Sequence, residues 1–216
     1  MTPEGRLGWS LVVPVKVLAQ AKSRLTGLAG ADRAELALAM AADTVAAALA
    51  STAVQTVLVI TDDRAVSAEM SRLGALVLAD EPASGLNEAL RFGAGYARDR
   101  WPERGVAGLA GDLPALQPAE LTTALELAGL QGRAFVPDAA GTGTTLLAAT
   151  PGADFEPLFG LDSRARHRAA GAAELDLQAT SGLRRDVDTV EDLQVAASVG
   201  LGPRTRVLLH KSLQDR

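Results

Sequence analysis

From Ser10 to Asp138 the chain alternates short β-branched and leucine-rich runs with longer segments of helical composition. SLVVPVKV (Ser10–Val17), VQTVLVIT (Val54–Thr61), ALVLAD (Ala75–Asp80), the apolar stretch Gly105–Gly111 and RAFVPD (Arg133–Asp138) read as strands. Ala31–Ala50, Asp62–Gly74, Leu86–Trp101 and Pro118–Gly129 read as the helices between them, the second closing at Gly74, a favourable stop residue. Such alternation restricts the chain to an α/β fold with a mostly parallel, mixed central sheet flanked by helices. The strands are continuous apolar runs, as expected when both faces of the sheet are covered.

Beyond Asp138 the order is less regular. Thr144–Pro151 reads as a strand, and Ser163–Ala172 and Val190–Gly200 read as helices. Arg204–Arg216 is expected to be a loose or packing segment. The expected organisation is one domain over residues 1–216, with its core at about 10–201 and a tail at 202–216.

Composition narrows the function classes. With a formal net charge of −5 and a pI near 5.1, the chain lacks the basic balance of a nucleic-acid binder. It contains no cysteine, so disulfides, thiolate metal sites and cysteine nucleophiles are excluded. MTPEGRLGWS lacks the basic start and apolar core of a secretory leader, and no apolar run is long enough for a bilayer. The expectation is a cytoplasmic protein with no membrane and no nucleic-acid partner. A homo-oligomer is compatible with the sequence but not written in it.

In open α/β sheets, ligands bind beyond the carboxyl ends of the strands, so the residues there carry the functional reading. The first strand leads into VKVLAQAKSRL, whose Lys16, Lys22 and Arg24 form either a solvated basic loop or a phosphate-binding set, with Ser23 adding a hydroxyl. The third leads into DEPASGLNEAL. There Ser84 or Asn87 reads as a helix N-cap, and Asn87 alternatively as an amide suited to a base edge. The fourth ends in GDLPAL, where Asp112 is either a turn or capping carboxylate or a ligand for a divalent cation.

Three later segments add to this. In PDAAGTGTTLL, backbone N–H groups beside Gly141 and Gly143, helped by Thr142 or Thr144, form either an anion cradle or a hairpin. FGLDSRARHR places Gly160 and Ser163 before a basic helix, with Ser163 a candidate N-cap at an anion site. His167 in that helix reads as a structural or substrate-contacting residue rather than a metal ligand. In RRDVDTVEDL, Asp186 and Asp188 share one face of an expected short strand, and Thr189 with Asp192 approximates a capping box.

Taken in order, VPVKVLAQAKSRL, GLNEAL, GDLPAL, GTGTTLL, FGLDSRARHR and DVDTVEDL resemble the guanylyltransferases of coenzyme F-420 biosynthesis, over about Leu11–Leu201. That family acts on phosphoenolpyruvate or 2-phospho-L-lactate. The resemblance implies a Rossmann-like nucleotidyltransferase fold of the glycosyltransferase-A type, GTP as donor, and Mg²⁺ as cofactor. The implied acceptor is phosphoenolpyruvate, with 2-phospho-L-lactate and 3-phosphoglycerate as alternatives. By motif match, Asp112 and Asp186 would hold the metal, Asp186 being preferred to Asp188. Thr144, Gly160 and Ser163 would hold the acceptor. Lys16, Lys22 and Arg24 would serve the nucleotide phosphates, Lys22 counting with the two aspartates as catalytic, and Asn87 would serve the guanine side. Two rivals differ in kind: a nucleotidyltransferase for another base, and a non-catalytic phosphometabolite-binding module with no use for the two aspartates.

Overall fold

The apolar run of the first strand is unbroken because each of its faces packs on helices. A computed structural model describes residues 7–16, 30–81, 83–178 and 181–214. In strand β1 (Trp9–Pro14), Trp9, Leu11 and Val13 point to one side of the sheet. There they meet helices α1 (Gly30–Leu49), α2 (Arg64–Leu73) and α4 (Pro118–Ala128) through residues such as Val45, Met70 and Leu121. Val12 points the other way, to Leu90 and Ala94 of α3 (Leu86–Arg100). Period-two alternation thus feeds two apolar layers, one above and one below the sheet.

Strands β2 (Val54–Ile60), β3 (Leu76–Leu78), β4 (Gly105–Leu109), β5 (Arg133–Pro137), β6 (Thr144–Ala149) and β7 (Ala173–Glu174) complete a seven-stranded sheet in the order β3-β2-β1-β4-β6-β5-β7. The β1–β2, β1–β4, β2–β3 and β5–β7 pairs are parallel; β6 runs antiparallel to β4 and β5. The expected mostly parallel, mixed sheet is therefore present. The chain leaves β1 for β2 on one side and returns to β4 on the other, which makes the carboxyl ends of β1 and β4 the switch point. Because β6 is reversed, its first residue, Thr144, lies at the same edge where β4 and β5 end.

The expected elements recur with ends moved by a few residues, and four points are informative. β7 has only two residues, too short to show as an apolar pattern. Asp186–Asp188 is not a strand: after a 3₁₀ turn at Gly182–Arg184 the segment runs outside the sheet and lies against the loop after β4. Of the two readings of the tail the packing one holds, since Pro203–Gln214 forms helix α7 against α1. Asp43 of α1 is almost fully buried and accepts the Arg204 and Thr205 N–H groups at 3.2 and 2.8 Å, satisfying the start of α7 from another element. Finally, α3 is capped by neither Ser84 nor Asn87; its N-cap is Gly85, without a side-chain hydrogen bond.

The Thr189–Asp192 capping box is formed as expected: Asp192 N–H donates to Thr189 Oγ1 at 3.1 Å and Thr189 N–H to Asp192 Oδ2 at 2.8 Å, opening helix α6 (Val190–Val199). The remaining helix, α5 (Ser163–Ala169), has Asp162 as its N-cap in place of the expected Ser163, which is instead its first residue.

Candidate functional site

Asp112 stands just past the carboxyl end of β4 and is not the N-cap of the helix that follows. Helix α4 starts five residues later at its own N-cap, Gln117, whose backbone N–H donates to Glu120 at 3.2 Å. The loop between is fixed from behind. Leu113 N–H donates to the buried Thr44 hydroxyl of α1 at 3.0 Å, and Gly202 N–H to the Pro114 carbonyl at 2.8 Å. With its flanks pinned, Asp112 keeps a set position at the sheet edge.

A second carboxylate is brought to it by the segment after the 3₁₀ turn. Val187 N–H donates to the Asp112 carbonyl at 3.1 Å, which sets Asp186 beside Asp112. The approach requires Gly182, because a Cβ there would lie 2.0 Å from the Ala115 carbonyl oxygen. Burial, then the negative charges of Asp112, Asp138 and Asp188, push the Asp186 carboxyl up to about 7. Asp188, by contrast, is exposed, and its N–H donates to Asp192 at 3.1 Å.

Asp138 is the member of this group that the sequence reading passed over. It follows β5 directly and is buried. Its carboxylate accepts the Thr142 N–H at 2.9 Å and the Gly143 N–H at 2.8 Å. The N–H groups expected to cradle a foreign anion therefore hold one of the chain's own, and the glycine-rich stretch is the turn of the β5–β6 hairpin. Gly143 is required there: a Cβ would sit 2.3 Å from Asp138 Oδ2. The signal for Asp138 was present, since an aspartate at a strand's carboxyl end was the criterion that selected Asp112.

The expected acceptor residues gather on the other side of the same edge. Pairing of β5 with β6 slips by a residue between Val136 and Pro137. Such a bulge re-aims side chains, and Thr144 Oγ1 meets His167 Nδ1 of α5 at 3.0 Å. The His167 Nε2 accepts the Leu158 N–H at 3.0 Å, and the ring packs between Phe135 and Phe159. Desolvation, with a smaller contribution from the Arg166 charge, lowers the His167 pKa to about 4. Its structural role matches the sequence expectation.

Ser163 is buried at the start of α5, and Gly160 is exposed with φ of 113°, a left-handed backbone that favours glycine. Helix α5 is fastened to the hairpin turn by Arg164, which donates to the Gly141 carbonyl at 2.9 Å and pairs with Glu174 of β7 at 2.6 Å.

Asn87 departs from its expected use. Its amide donates to the Phe159 carbonyl at 3.1 Å and accepts the Phe159 N–H at 2.9 Å, as a neighbouring β-strand would. Lys16 is exposed just past β1; Lys22 and Arg24 lie outside the described residues.

The family model described as "Guanylyl transferase CofC like" matches residues 9–211. The chain belongs to that family. The match runs through α7, which agrees with the docking of that helix on α1 and places it inside the folded unit.

Among similar chains, a phosphoenolpyruvate guanylyltransferase of Streptomyces avermitilis is 58% identical over 91% of this chain and 92% of its own length. A phosphoenolpyruvate guanylyltransferase of Thermomonospora curvata is 55% identical over 95% of this chain and 90% of its own. Solved structures share the fold at low identity. One from Desulfovibrio desulfuricans, described as a putative nucleotide-diphospho-sugar transferase, has a TM-score of 0.71 at 18% identity, covering 94% of each chain. A nucleotidyl transferase from Methanothermobacter has a TM-score of 0.60 at 22% identity, covering 89% of this chain and 97% of its own. The protein is thus a nucleotidyltransferase-fold enzyme of the guanylyltransferase class.

Proposed function

We propose that the chain transfers GMP from GTP to phosphoenolpyruvate, releasing pyrophosphate and forming enolpyruvoyl-2-diphospho-5'-guanosine, a step of coenzyme F-420 biosynthesis. The observation that carries the reading is the pairing of Asp112 with Asp186 at the switch point, in a chain whose relatives are named for this reaction. A phosphate oxygen of the acceptor attacks the α-phosphorus of GTP. The new P–O bond forms as the bond to the β-phosphate's bridging oxygen breaks, and pyrophosphate carries off the electron pair. A phosphate monoester has a second pKa of about 6, so the attacking group is already anionic near neutral pH. The reaction therefore asks for positioning and charge neutralisation rather than a protein nucleophile.

The carboxylate group fits a divalent cation. Hard oxygen donors suit magnesium, and the raised Asp186 carboxyl marks a place where burial first, and neighbouring negative charge second, oppose ionisation. Among the described residues no three acidic or histidine side chains are arranged as a metal cage. In this reading Asp112 and Asp186 hold the cation, magnesium, which when bound neutralises charge on the triphosphate. Lys16, Lys22 and Arg24 act on the same phosphates. Thr144, Gly160 and Ser163 hold the acceptor. Asn87 enters through its clasp on Phe159, one residue before Gly160. A cytoplasmic location goes with these substrates; among the described residues no helix is long and apolar enough to cross a membrane.

The test is incubation with GTP, Mg²⁺ and, separately, phosphoenolpyruvate, 2-phospho-L-lactate and 3-phosphoglycerate, followed by product mass and pyrophosphate assay. The phosphoenolpyruvate adduct is expected to dominate. Pyrophosphate release supported by CTP and not GTP, or a product formed with another acceptor alone, would overturn the reading.

A further inference from the structure

We propose that His167 is a positioning residue that fixes the Thr144 hydroxyl as a hydrogen-bond donor toward the anionic acceptor. The inference rests on the acceptor role given to Thr144 above. It starts from the direction of the hydrogen bonds. The Leu158 backbone N–H can only donate, and it lies 3.0 Å from His167 Nε2. Nε2 must then be the unprotonated ring nitrogen, and in a neutral imidazole the proton sits on Nδ1. Nδ1 is 3.0 Å from Thr144 Oγ1, so the ring N–H faces the hydroxyl oxygen, alongside the Ser163 backbone carbonyl, and the hydroxyl cannot donate to the ring. A threonine hydroxyl has one hydrogen. With an N–H already directed at its oxygen, that hydrogen must point away from the ring. An anion is the partner that such a fixed donor serves, and a phosphate or carboxylate oxygen is the partner that a wrongly turned hydroxyl would repel.

The surroundings hold this polarity in place. The ring is 1% exposed and lies between Phe135 and Phe159, with centroids 5.7 and 5.3 Å away. Its lowered pKa keeps it neutral, with the same single N–H, throughout the working pH range. Ser163 and His167 stand one turn apart on the buried side of α5. The backbone on the far side of the ring is gripped twice in succession, at Leu158 by His167 and at Phe159 by Asn87, immediately before Gly160. One neutral imidazole thus ties Thr144 to the loop that supplies Gly160 and Ser163.

A double-mutant cycle tests the idea. The KM for phosphoenolpyruvate at saturating GTP, and for GTP at saturating phosphoenolpyruvate, are measured for wild type, T144V, H167F, H167N and T144V/H167F. Circular dichroism and thermal unfolding check the fold. T144V and H167F are each expected to raise the phosphoenolpyruvate KM about tenfold, the size of one hydrogen bond to a charged group, while leaving the GTP KM within about twofold. If His167 acts through Thr144, the double variant is no worse than either single one. H167N, whose amide nitrogen stands near the place of Nδ1, is expected to recover most of the loss. Multiplying losses in the double variant overturn the inference, as do equal rises in both KM values or an H167N no better than H167F. Should H167F not fold, H167N decides alone: a phosphoenolpyruvate KM raised as far as in T144V overturns the proposal. A wild type that forms no product with any phospho-acid overturns this inference and the functional reading together. An active wild type with multiplying losses overturns the inference alone.

Discussion

The two sides of the sheet's carboxyl edge satisfy their polar groups in opposite ways. On the side of β5, β6 and α5, donors and acceptors are matched within the protein: Thr144 with His167, His167 with Leu158, Asn87 with Phe159, Arg164 with Glu174. On the side of β4 and the Asp186 segment, carboxylates face one another, and the burial of Asp186 beside Asp112 and Asp138 works against its ionisation. The first side is pre-organised, and a ligand would meet it at little cost in reorganisation. The second crowds acidic groups together, a crowding that a cation and its phosphates would relieve. Under the proposed function, the contrast gives shape selection to one side and charge handling to the other.

The largest expected effect lies on the charged side. Asp112→Asn removes a carboxylate without changing side-chain size or the backbone bond to Val187. Turnover should fall by roughly a thousandfold, the scale of losing a principal electrostatic group at a phosphoryl-type transition state. The thermal midpoint should stay near that of wild type. Undiminished pyrophosphate release from a folded Asp112→Asn would remove the metal role and revive the non-catalytic reading.

A smaller effect, opposite in sign, is expected for stability. In metal-free protein Asp186 has its carboxyl raised from 3.8 to about 7. Below the unfolded value both states are protonated and nothing is lost. As pH rises through the window, the unfolded chain releases a proton that the folded protein retains, so stability declines, and the penalty is complete above about 7. Asp186→Asn lacks this penalty. It should match wild type at pH 4 and exceed it at pH 8, by an amount on the order of 1–3 kcal/mol given about 1.4 kcal/mol per pH unit. Chemical denaturation at the two pH values reads the difference directly. A gain of equal size at both would mean that repacking, rather than charge, was responsible.

Much of this contrast was legible in the sequence, but unevenly. The parallel half of the sheet announced itself because each strand is buried on both faces and each helix has an apolar side, so local pattern and tertiary environment agree. Asp112 could be singled out because strand ends are where α/β sheets bind ligands. The rest depended on contacts between distant segments. Nothing local reveals that β6 is reversed, that a bulge precedes the meeting of Thr144 with His167, or that Asp186 lies on an irregular segment whose Val187 N–H donates to the Asp112 carbonyl. Asp138 was hidden differently: its carboxylate is engaged by its own turn, so the glycine-rich stretch resembled an empty cradle. The docking of α7 was obscured because the buried Asp43 that satisfies its first N–H groups belongs to α1.

Asn87 gives the smallest expected effect and the sharpest discrimination between the two sides. An asparagine near the start of a helix at the ligand edge suits a nucleobase, yet both ends of this amide meet the Phe159 backbone. Two neutral hydrogen bonds contribute a net 0.5–1.5 kcal/mol each, so Asn87→Ala should cost about 1–2 kcal/mol of stability in denaturant unfolding. The functional consequence separates the roles. If Asn87 belongs to the pre-organised side, releasing Phe159 loosens Gly160 and the start of α5. The KM for phosphoenolpyruvate then rises by about threefold to tenfold, and the preference for GTP over ATP is unchanged. If Asn87 instead reads guanine, the preference for GTP collapses while the acceptor KM holds. Asn87→Asp sharpens the choice further. Its carboxylate still accepts the Phe159 N–H but repels the Phe159 carbonyl, which the amide had served as donor. On the clasp reading Asn87→Asp should therefore be at least as damaging to the acceptor KM as Asn87→Ala.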